Sequence, residues 1–510
     1  MRFGQILPLA AFAVESAVAA AVCKTSPLDT SSLVKKLSAG AYILNSTSAA
    51  FADAAARWSS LDAPVPNLIV VPATEQDVVQ TVLFANKQNV PFLATNGAHG
   101  SVTSLGGLQG GIEIYLTQLS SIDISADGTT VTVAGGVHSK NLTDALWAAN
   151  KQTVTGTCEC VSYLGPGLGG GHGWLQGHHG LVSDQFLSLN VVLASGELVT
   201  VSETSNPDLF WSMRGAGHNF GIVTSVTSKI YDVEFPNYAI QTVTFSGDQV
   251  EAAYTLANEL FLPGGVSTQP ATFSQWSYWF FEPELDASGP VLQFYLIEEG
   301  VDAVNATVVD AFNAISPLSS VPATGTYLDL AAWTGIDISA GPCQKIGNAY
   351  PRFPIYLTQY DPAAVRNAYT LFKEMTTANG SLFTGSLFLF EGYSQEGVKA
   401  PGDDATAFAY RADNILGAPM IAYTPDGTAA LDQTAANWGT QMRNALWAGA
   451  SAEGSVGSYA SLHSYVNYAF GDETQDSWYG EDAWRQTKLT SLKKQYDPKG
   501  VFSFYAPIKA

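Results

Sequence analysis

Apolar and polar positions follow a regular pattern from about residue 64. An apolar run over 68–71 predicts a strand, and Thr74 with Asp77 three residues later predicts the capping box of a helix. Apolar side chains then recur at helical spacing until Asn89, and residues 90–94 predict a second strand. This strand–helix–strand order favours a parallel pair of strands.

Turn signals further along indicate antiparallel hairpins. Asp127-Gly128 separates predicted strands at 122–125 and 129–134, and Ser195-Gly196 separates strands at 187–194 and 197–201. The other predicted elements are a strand over 111–116, a helix over 141–150, a glycine-rich loop over 165–173, a helical turn at Asn206-Pro207 and a strand over 222–231. The pattern predicts one α+β domain over 64–236.

The pattern changes after residue 236. Aromatic side chains cluster over 276–281, and helical and strand patterns alternate without glycine-rich motifs. We predict a second domain over 237–460, with an antiparallel sheet and helices. A last segment over 461–510 contains a predicted extended stretch at 465–468 and a helix over 482–496, which Asp497-Pro498 ends.

Composition narrows the class of protein. Hydrophobic residues make up 46% of the 510 residues and charged residues 13%, as expected of a folded chain. The formal net charge is −22, and only 23 lysines and arginines are available. Nucleic acids and anionic membranes are therefore excluded as expected partners, because both need clustered positive charge.

The first 21 residues predict a secretory signal peptide. Arg2 is followed by a short apolar stretch and then by small residues, which is the pattern of a cleavable signal. A buried N-terminal helix is the alternative. No segment is long and apolar enough to be a membrane span. A secreted chain is also open to N-glycosylation, and the sequons lie at Asn45, Asn141, Asn305 and Asn379.

The cysteines leave their pairing open. The chain contains Cys23, Cys158, Cys160 and Cys343, and Cys23 could pair with Cys343. Metal binding is not expected, because the nearby histidines do not stand at zinc-ligand spacing. Those histidines are His172, His178 and His179.

Two glycine-containing segments could hold a ligand. In the segment over 95–101, small residues surround His99 and leave backbone N–H groups free to bind a phosphate or pyrophosphate; a plain turn is the alternative. The segment over 165–173 contains a G-x-G-x-x-G match, but Pro166 interrupts it and no acidic residue follows at the expected distance. We interpret this segment as backbone approaching a flat ligand, with a surface loop as the alternative.

The order of these motifs resembles the PCMH-type FAD-binding domain of the vanillyl-alcohol-oxidase superfamily. The resemblance rests on the Gly-Ala-His loop, the cysteine before the glycine run, Gly180-Leu181-Val182-Ser183-Asp184, and the segment over 214–224. The C-terminal Tyr465-Val466-Asn467-Tyr468 and the segment over 496–502 are similar to the berberine-bridge-enzyme-like group. That group includes glucooligosaccharide oxidases and fungal secondary-metabolite oxidases. The resemblance implies a two-domain α+β fold whose C-terminal segment completes the FAD-binding domain.

The resemblance implies covalent FAD. His99 matches the histidine joined to the flavin 8α carbon, and Cys158 matches the cysteine joined to flavin C6, with Cys160 as a competitor for that role. We expect N–H donors around Cys158 to favour its reactive thiolate. Thr95 and Ala98 depart from the family's usual arginine and glycine. The other expected FAD-binding residues are Asn96, Gly97, Ala98, Gly100, Ser101, Val161, Gly165, Gly169, Gly170, Gly173, Val223 and Asn467.

The resemblance implies an oxidase but does not identify the catalytic base. Gly417 and Pro419 stand where many relatives have polar residues, so Tyr465 is the candidate base. His172 is either a second active-site group that titrates near neutral pH or a structural histidine. Val161 aligns with a position where a small side chain admits oxygen. We expect a monomer that oxidises a small-molecule secondary metabolite and reduces O2 to H2O2. The alternatives are a carbohydrate oxidase and a non-catalytic secreted flavoprotein or binding protein.

Overall fold

The computed structural model describes residues 28–452, 454–455 and 459–509. The predicted signal peptide and Cys23 lie outside these residues. Within the described ranges, no helix combines the length and apolar character that crossing a membrane requires.

The first region, residues 28–236, contains two main sheets and short helices. Its strands are β1 Tyr42–Asn45, β2 Leu68–Val71, β3 Phe92–Thr95, β4 Ile112–Tyr115, β5 Ile122–Ile124, β6 Thr130–Ala134, β7 Lys151–Gln152, β8 Phe186–Val192, β9 Leu198–Ser202, β10 Ile222–Lys229 and β11 Tyr231–Asp232. Its helices are α1 Ser31–Val34, α2 Phe51–Ala55, α3 Glu75–Gln88, α4 Ser139–Ala148, α5 Leu164–Leu168, α6 Gln176–His179 and α7 Pro207–Met213.

Helix α3 follows the predicted local signals. Thr74 and Asp77 form the capping box, and Asn89 ends the helix in a left-handed conformation. Strands β2 and β3 are parallel in direction, as predicted, but they are not neighbours. Strand β4 lies between them in the order β1-β2-β4-β3, because its apolar side chains complete the buried sheet.

The second sheet confirms both predicted hairpins. Its order is β5-β6-β10-β8-β9, with antiparallel pairs throughout the described strands. The predicted loop over 165–173 is partly wrong, since α5 occupies its beginning. Pro166 is tolerated there because it lies in the first turn of a helix, where its missing N–H leaves no bond unmade.

The second region, residues 237–460, is built on a seven-stranded antiparallel sheet of the described chain, as predicted. The sheet order is β15-β12-β14-β13-β17-β18-β16. The strands are β12 Tyr238–Phe245, β13 Phe273–Phe280, β14 Val291–Glu299, β15 Ser319–Gly325, β16 Ile355–Leu357, β17 Leu387–Tyr393 and β18 Ile415–Met420. The helices are α8 Val250–Phe261, α9 Ala306–Ala314, α10 Leu330–Trp333, α11 Pro362–Thr377, α12 Glu396–Lys399 and α13 Ala429–Ala450.

Alternation along the strands gives this sheet two different faces. On β17, Phe388 and Phe390 pack into the core formed with α8, α11 and α13. The intervening side chains, Leu387, Leu389 and Glu391, point to the opposite face and line a cavity. The sheet therefore forms one wall of the candidate site.

The C-terminal segment packs back onto the first region. It contains α14 Gln475–Tyr479 and α15 Ala483–Tyr496, the second as predicted. The buried Lys493 ammonium donates to the Asp497 carboxylate and to the carbonyls of Asn219 and Phe502, which fixes the tail. The predicted extended stretch at 465–468 is wrong, because Val466–Tyr468 forms a 3₁₀ turn.

Candidate active site

A cavity of about 310 Å³ lies between the first region, the seven-stranded sheet and the C-terminal segment. Most of the site residues expected from the sequence line it, although they come from distant parts of the chain. They are Asn96, Gly97, Ala98, His99, Gly100, Cys158, Val161, Gly165, His172, Val223, Tyr465 and Asn467.

Four expected FAD-binding residues do not line the cavity. Ser101 is buried behind the loop that precedes it. A Cβ atom at Gly169, Gly170 or Gly173 would collide with Asn467, Phe408 or the Thr155 carbonyl, respectively. These glycines therefore allow close packing of protein against protein, and contact between their backbone and FAD stays a prediction.

The loop over 96–101 has the features of an anion-binding turn. Ala98 has a φ of 57°, the left-handed conformation in which glycine is usual. Among the described residues, the N–H groups of residues 97–101 donate to no backbone carbonyl. Successive free N–H groups on such a turn form a nest for a phosphate or a similar anion.

The cavity wall also carries buried polar atoms that have no partner among the described residues. They are Arg57 Nη1, Asn96 Oδ1, His218 Nδ1 and Arg352 Nε. Buried polar atoms are normally hydrogen-bonded, so a group of them around one cavity indicates a ligand with several donors and acceptors. The anion-binding turn, the unpartnered polar atoms and the apolar walls of the cavity fit FAD.

His99 is held as a neutral imidazole at the cavity. Its ring stacks on Trp58 with 5.3 Å between ring centroids, and its Nε2 lies 3.3 Å from Cys160 Sγ. Burial, together with the positive charges of Arg352 and Lys345, lowers the pKa of His99 to about 3. The ring therefore keeps a nitrogen lone pair at neutral pH, as a nucleophile requires.

The structure corrects two expectations about the cysteines. Cys343 forms a disulfide with Cys160, so the suggested partnership with Cys23 is wrong and Cys160 has no thiol with which to compete for flavin. Cys158 is the free cysteine of the described chain, with its sulfur 3.6 Å from that of Cys160. Burial raises the pKa of Cys158 to about 11, although the Arg352 charge acts in the opposite direction. The expected stabilisation of its thiolate is therefore wrong.

His172 and Tyr465 are in the cavity wall, and both contact other protein groups. His172 contacts the Gln176 side-chain oxygen and the Tyr356 hydroxyl, each at 2.8 Å. Burial lowers the pKa of His172 to about 4, which favours the structural interpretation of this histidine over titration near neutral pH. The Tyr465 hydroxyl accepts bonds from the His172 N–H and the Asn467 amide, and its role as the base stays a prediction.

Sequence reasoning missed a carboxyl group on the opposite wall. Glu391 is 4% exposed, and it accepts hydrogen bonds from the hydroxyls of Tyr468 at 2.7 Å and Tyr393 at 2.8 Å. Burial raises the pKa of Glu391, and burial with the Glu391 charge holds the pKa of Tyr468 well above its usual value. The available signal was a single charge within the apolar strand β17.

Comparisons with known proteins agree with this site. A family model described as "FAD binding domain" matches residues 66–202, and one described as "Berberine and berberine like" matches residues 464–509. The FAD-linked oxidoreductase chyH of Penicillium rubens is 49% identical, over 100% of both chains.

Two solved structures share the fold. Physcomitrella patens BBE-like 1 superposes with a TM-score of 0.77 at 22% identity, covering 94% of this chain and 98% of that one. A glucooligosaccharide oxidase from Acremonium strictum, described with a 6-S-cysteinyl, 8α-N1-histidyl FAD, gives a TM-score of 0.75 at 19% identity, covering 94% and 98%.

Proposed function

The chain belongs to the berberine-bridge-enzyme-like FAD-linked oxidoreductases, and we propose that it is a secreted oxidase of a secondary-metabolite intermediate, with O2 as the electron acceptor. The further proposal is that His99 and Cys158 both hold the cofactor covalently. The observation that carries an enzymatic function is the Tyr468–Glu391 pair, a buried proton relay at the cavity that contains the free His99 and Cys158 side chains.

Several observations support bicovalent attachment. His99 is neutral and its Nε2 contacts the Cys160 sulfur, which leaves Nδ1 for the flavin. Cys158 has a free thiol in the same cavity. The Acremonium strictum oxidase, which shares the fold, is described with a histidyl and a cysteinyl bond to its FAD. When bound, FAD supplies the redox chemistry by accepting a hydride from carbon.

The protein's own contribution is the removal of a proton from the substrate. Tyr468 Oη accepts a proton from the substrate's hydroxyl or amine group while its own proton moves to Glu391 Oε1. The 2.7 Å hydrogen bond between these atoms supports this relay. A relay is needed because Tyr468 is protonated at neutral pH, and a buried tyrosinate would be costly without an acceptor.

The apolar character of the substrate wall supports a secondary metabolite over a carbohydrate. Trp276, Leu387, Leu389 and Met420 cover much of this wall. Sugar hydroxyl groups that face these four side chains would have no partners, at a cost of about 1–3 kcal/mol for each. Flat, partly aromatic molecules fit such a surface better.

Two features support O2 as the electron acceptor and secretion of the protein. The small side chain of Val161 lines the cavity, which is consistent with oxygen access to the flavin. The Cys160–Cys343 disulfide is typical of proteins that pass through an oxidising compartment, which supports secretion.

Flavin content and peroxide production test the proposal. We expect purified protein to be yellow, to retain its flavin after acid precipitation, and to yield flavin on peptides containing His99 and Cys158. Aromatic alcohols and amines should produce H2O2, whereas an oligosaccharide panel should not. Colourless protein would support a non-catalytic binding protein, and turnover confined to oligosaccharides would establish the carbohydrate alternative.

A further inference from the structure

Arg352 differs from the other arginines of the described chain. Each of the others donates at least one side-chain hydrogen bond to the protein: Arg57, Arg214, Arg366, Arg411, Arg443 and Arg485. Arg352 donates none to any described residue, and its Nε is fully buried without a partner. Nevertheless, its side chain lines the cavity.

The Arg352 guanidinium lies over two aromatic rings. Its central carbon lies 4.5 Å from the centroid of the Trp58 ring and 4.3 Å from that of Tyr468. Stacked rings cover the faces of a guanidinium but leave its in-plane N–H donors free. The two terminal nitrogens of Arg352 are thus available to a ligand in the cavity.

The position of Arg352 helps to decide whether its partner is the flavin ring or the substrate. Arg352 lies beside His99, because the Trp58 ring centroid is 4.5 Å from the Arg352 guanidinium carbon and 5.3 Å from the His99 ring centroid, and it lines the same cavity as His99 and Cys158. These are the residues proposed to hold the 8α and C6 positions, which belong to the benzenoid edge of the flavin. The carbonyl oxygens of the flavin ring lie on its opposite edge. The flavin ring therefore offers no carbonyl oxygen here, and an acidic group of the substrate would supply the acceptor that the free N–H donors lack.

We propose that Arg352 binds a carboxylate group of the substrate through a two-pronged hydrogen bond. This inference rests on the proposed function, because it assigns the substrate class of the same cavity. A carboxylate matches the planar fork of a guanidinium. A doubly charged phosphate is disfavoured, because the Glu391 carboxyl group belongs to the same cavity wall.

The arrangement also limits where the substrate is oxidised. Arg352 stacks directly on Tyr468, whose hydroxyl begins the proton relay. A substrate whose carboxylate contacts Arg352 therefore places groups only a few bonds away beside Tyr468. The substrate class is an aromatic or partly apolar acid with its oxidised carbon close to the carboxylate.

Calorimetric titration with benzoate and benzamide tests this inference. The two probes have the same shape, but only benzoate is charged, and heat reports binding whether or not flavin is present. Wild-type holoenzyme should bind benzoate more tightly than benzamide. Arg352→Gln should weaken benzoate binding by about 10- to 100-fold, the range expected for a lost charged hydrogen bond, and leave benzamide binding unchanged. Arg352→Lys should give an intermediate affinity.

Two controls separate this inference from folding and from the proposed function. Arg366→Gln removes an arginine that pairs with Glu251 outside the cavity, so it should bind benzoate as the wild type does. Flavin content and thermal unfolding of each variant report cofactor loss or misfolding. Equal benzoate affinity in wild type and Arg352→Gln, no wild-type preference for benzoate, or loss of flavin from Arg352→Gln would each overturn the carboxylate assignment. Colourless wild-type protein would instead overturn the proposed function.

Discussion

Substitution of Glu391 or Tyr468 should slow the oxidation of the substrate. Glu391→Gln keeps the size of the side chain but cannot accept a proton from Tyr468, so we expect kcat/KM to fall by about 10²- to 10⁴-fold. Tyr468→Phe should have a similar effect. Tyr393→Phe is the matched control, because Tyr393 also donates to Glu391 but does not line the cavity.

The same pair predicts a pH dependence. Glu391 must be ionised to accept the proton, and burial raises its pKa. Activity should therefore fall with decreasing pH at a value above the ordinary glutamate range of about 4.3. The acidic limb of kcat/KM should disappear in Glu391→Gln. A Glu391→Gln enzyme with the wild-type rate and profile would exclude this relay.

Cys158 gives a second prediction for a single residue. Cys158→Ser should keep flavin attached through His99 alone, because the His99 ring is neutral and fixed on Trp58 independently of Cys158. Mass spectrometry of proteolytic peptides should find flavin on the His99 peptide and none on residues 156–165. Flavin that is still doubly attached in this variant would refute the assignment of Cys158.

Helix α3 allows a prediction for one structural element. The buried Asp77 carboxylate accepts hydrogen bonds from Ser38, Ala73 and Thr74. Asp77→Ala should destabilise the protein by about 1–2 kcal/mol, the usual cost of a lost helix cap. Gln76→Ala, an exposed substitution in the same turn, is the control.

The loss of stability in Asp77→Ala should depend on pH. Hydrogen bonds from Ser38, Thr74 and Ala73 oppose the effect of burial, and the pKa of Asp77 is lowered. The carboxylate therefore contributes its stability above the pKa of the unfolded chain, and that contribution disappears as pH falls through the folded pKa. Thermal unfolding should show a smaller difference between wild type and Asp77→Ala at pH 3 than at pH 7. A difference that is constant with pH would exclude this charged cap.

Local signals explain which elements could be predicted from the sequence. The cap of α3 and both hairpins depend on residues within a few positions of each other, and all three are confirmed. The insertion of β4 between β2 and β3 depends on non-local packing, which periodicity does not report. Glycines give the same sequence signal whether their neighbour is a ligand or protein, so the sequence does not report that a Cβ at Gly170 would meet Phe408.

At the scale of the whole molecule, the site depends on contacts between distant segments. Trp58 and His99 come from the first region, Arg352 and Glu391 from the second, and Tyr468 from the C-terminal segment. The family motifs pointed to His99 and to the segment that contains Tyr468, although they selected Tyr465 and Asn467 from that segment and did not indicate Trp58. The second region carries no comparable motif, so Arg352 and Glu391 could be found only after the sheet was placed over the cavity.

The Cys160–Cys343 disulfide joins the first and second regions beside this site, across a sequence separation of 183 residues. A cross-link over such a long loop restricts the unfolded chain, so Cys343→Ser should destabilise the protein by about 2–5 kcal/mol. Thermal unfolding measures this loss. The double variant Cys160→Ser/Cys343→Ser should lose no more stability than Cys343→Ser, because both remove the same bond.

Cys343→Ser and the double variant Cys160→Ser/Cys343→Ser should differ in which cysteine forms the bond to flavin. Cys343→Ser frees the Cys160 thiol, whose sulfur lies 3.6 Å from that of Cys158, so part of the flavin should move to Cys160. The double variant has no second thiol here, so its cysteinyl bond to flavin should form at Cys158 alone, while the bond to His99 should be present in both variants. Peptide mapping of both variants separates these outcomes, since residues 158 and 160 can be distinguished by fragmentation. Exclusive attachment to Cys158 in both variants would mean that the geometry of the cavity, and not the disulfide, determines which cysteine binds flavin.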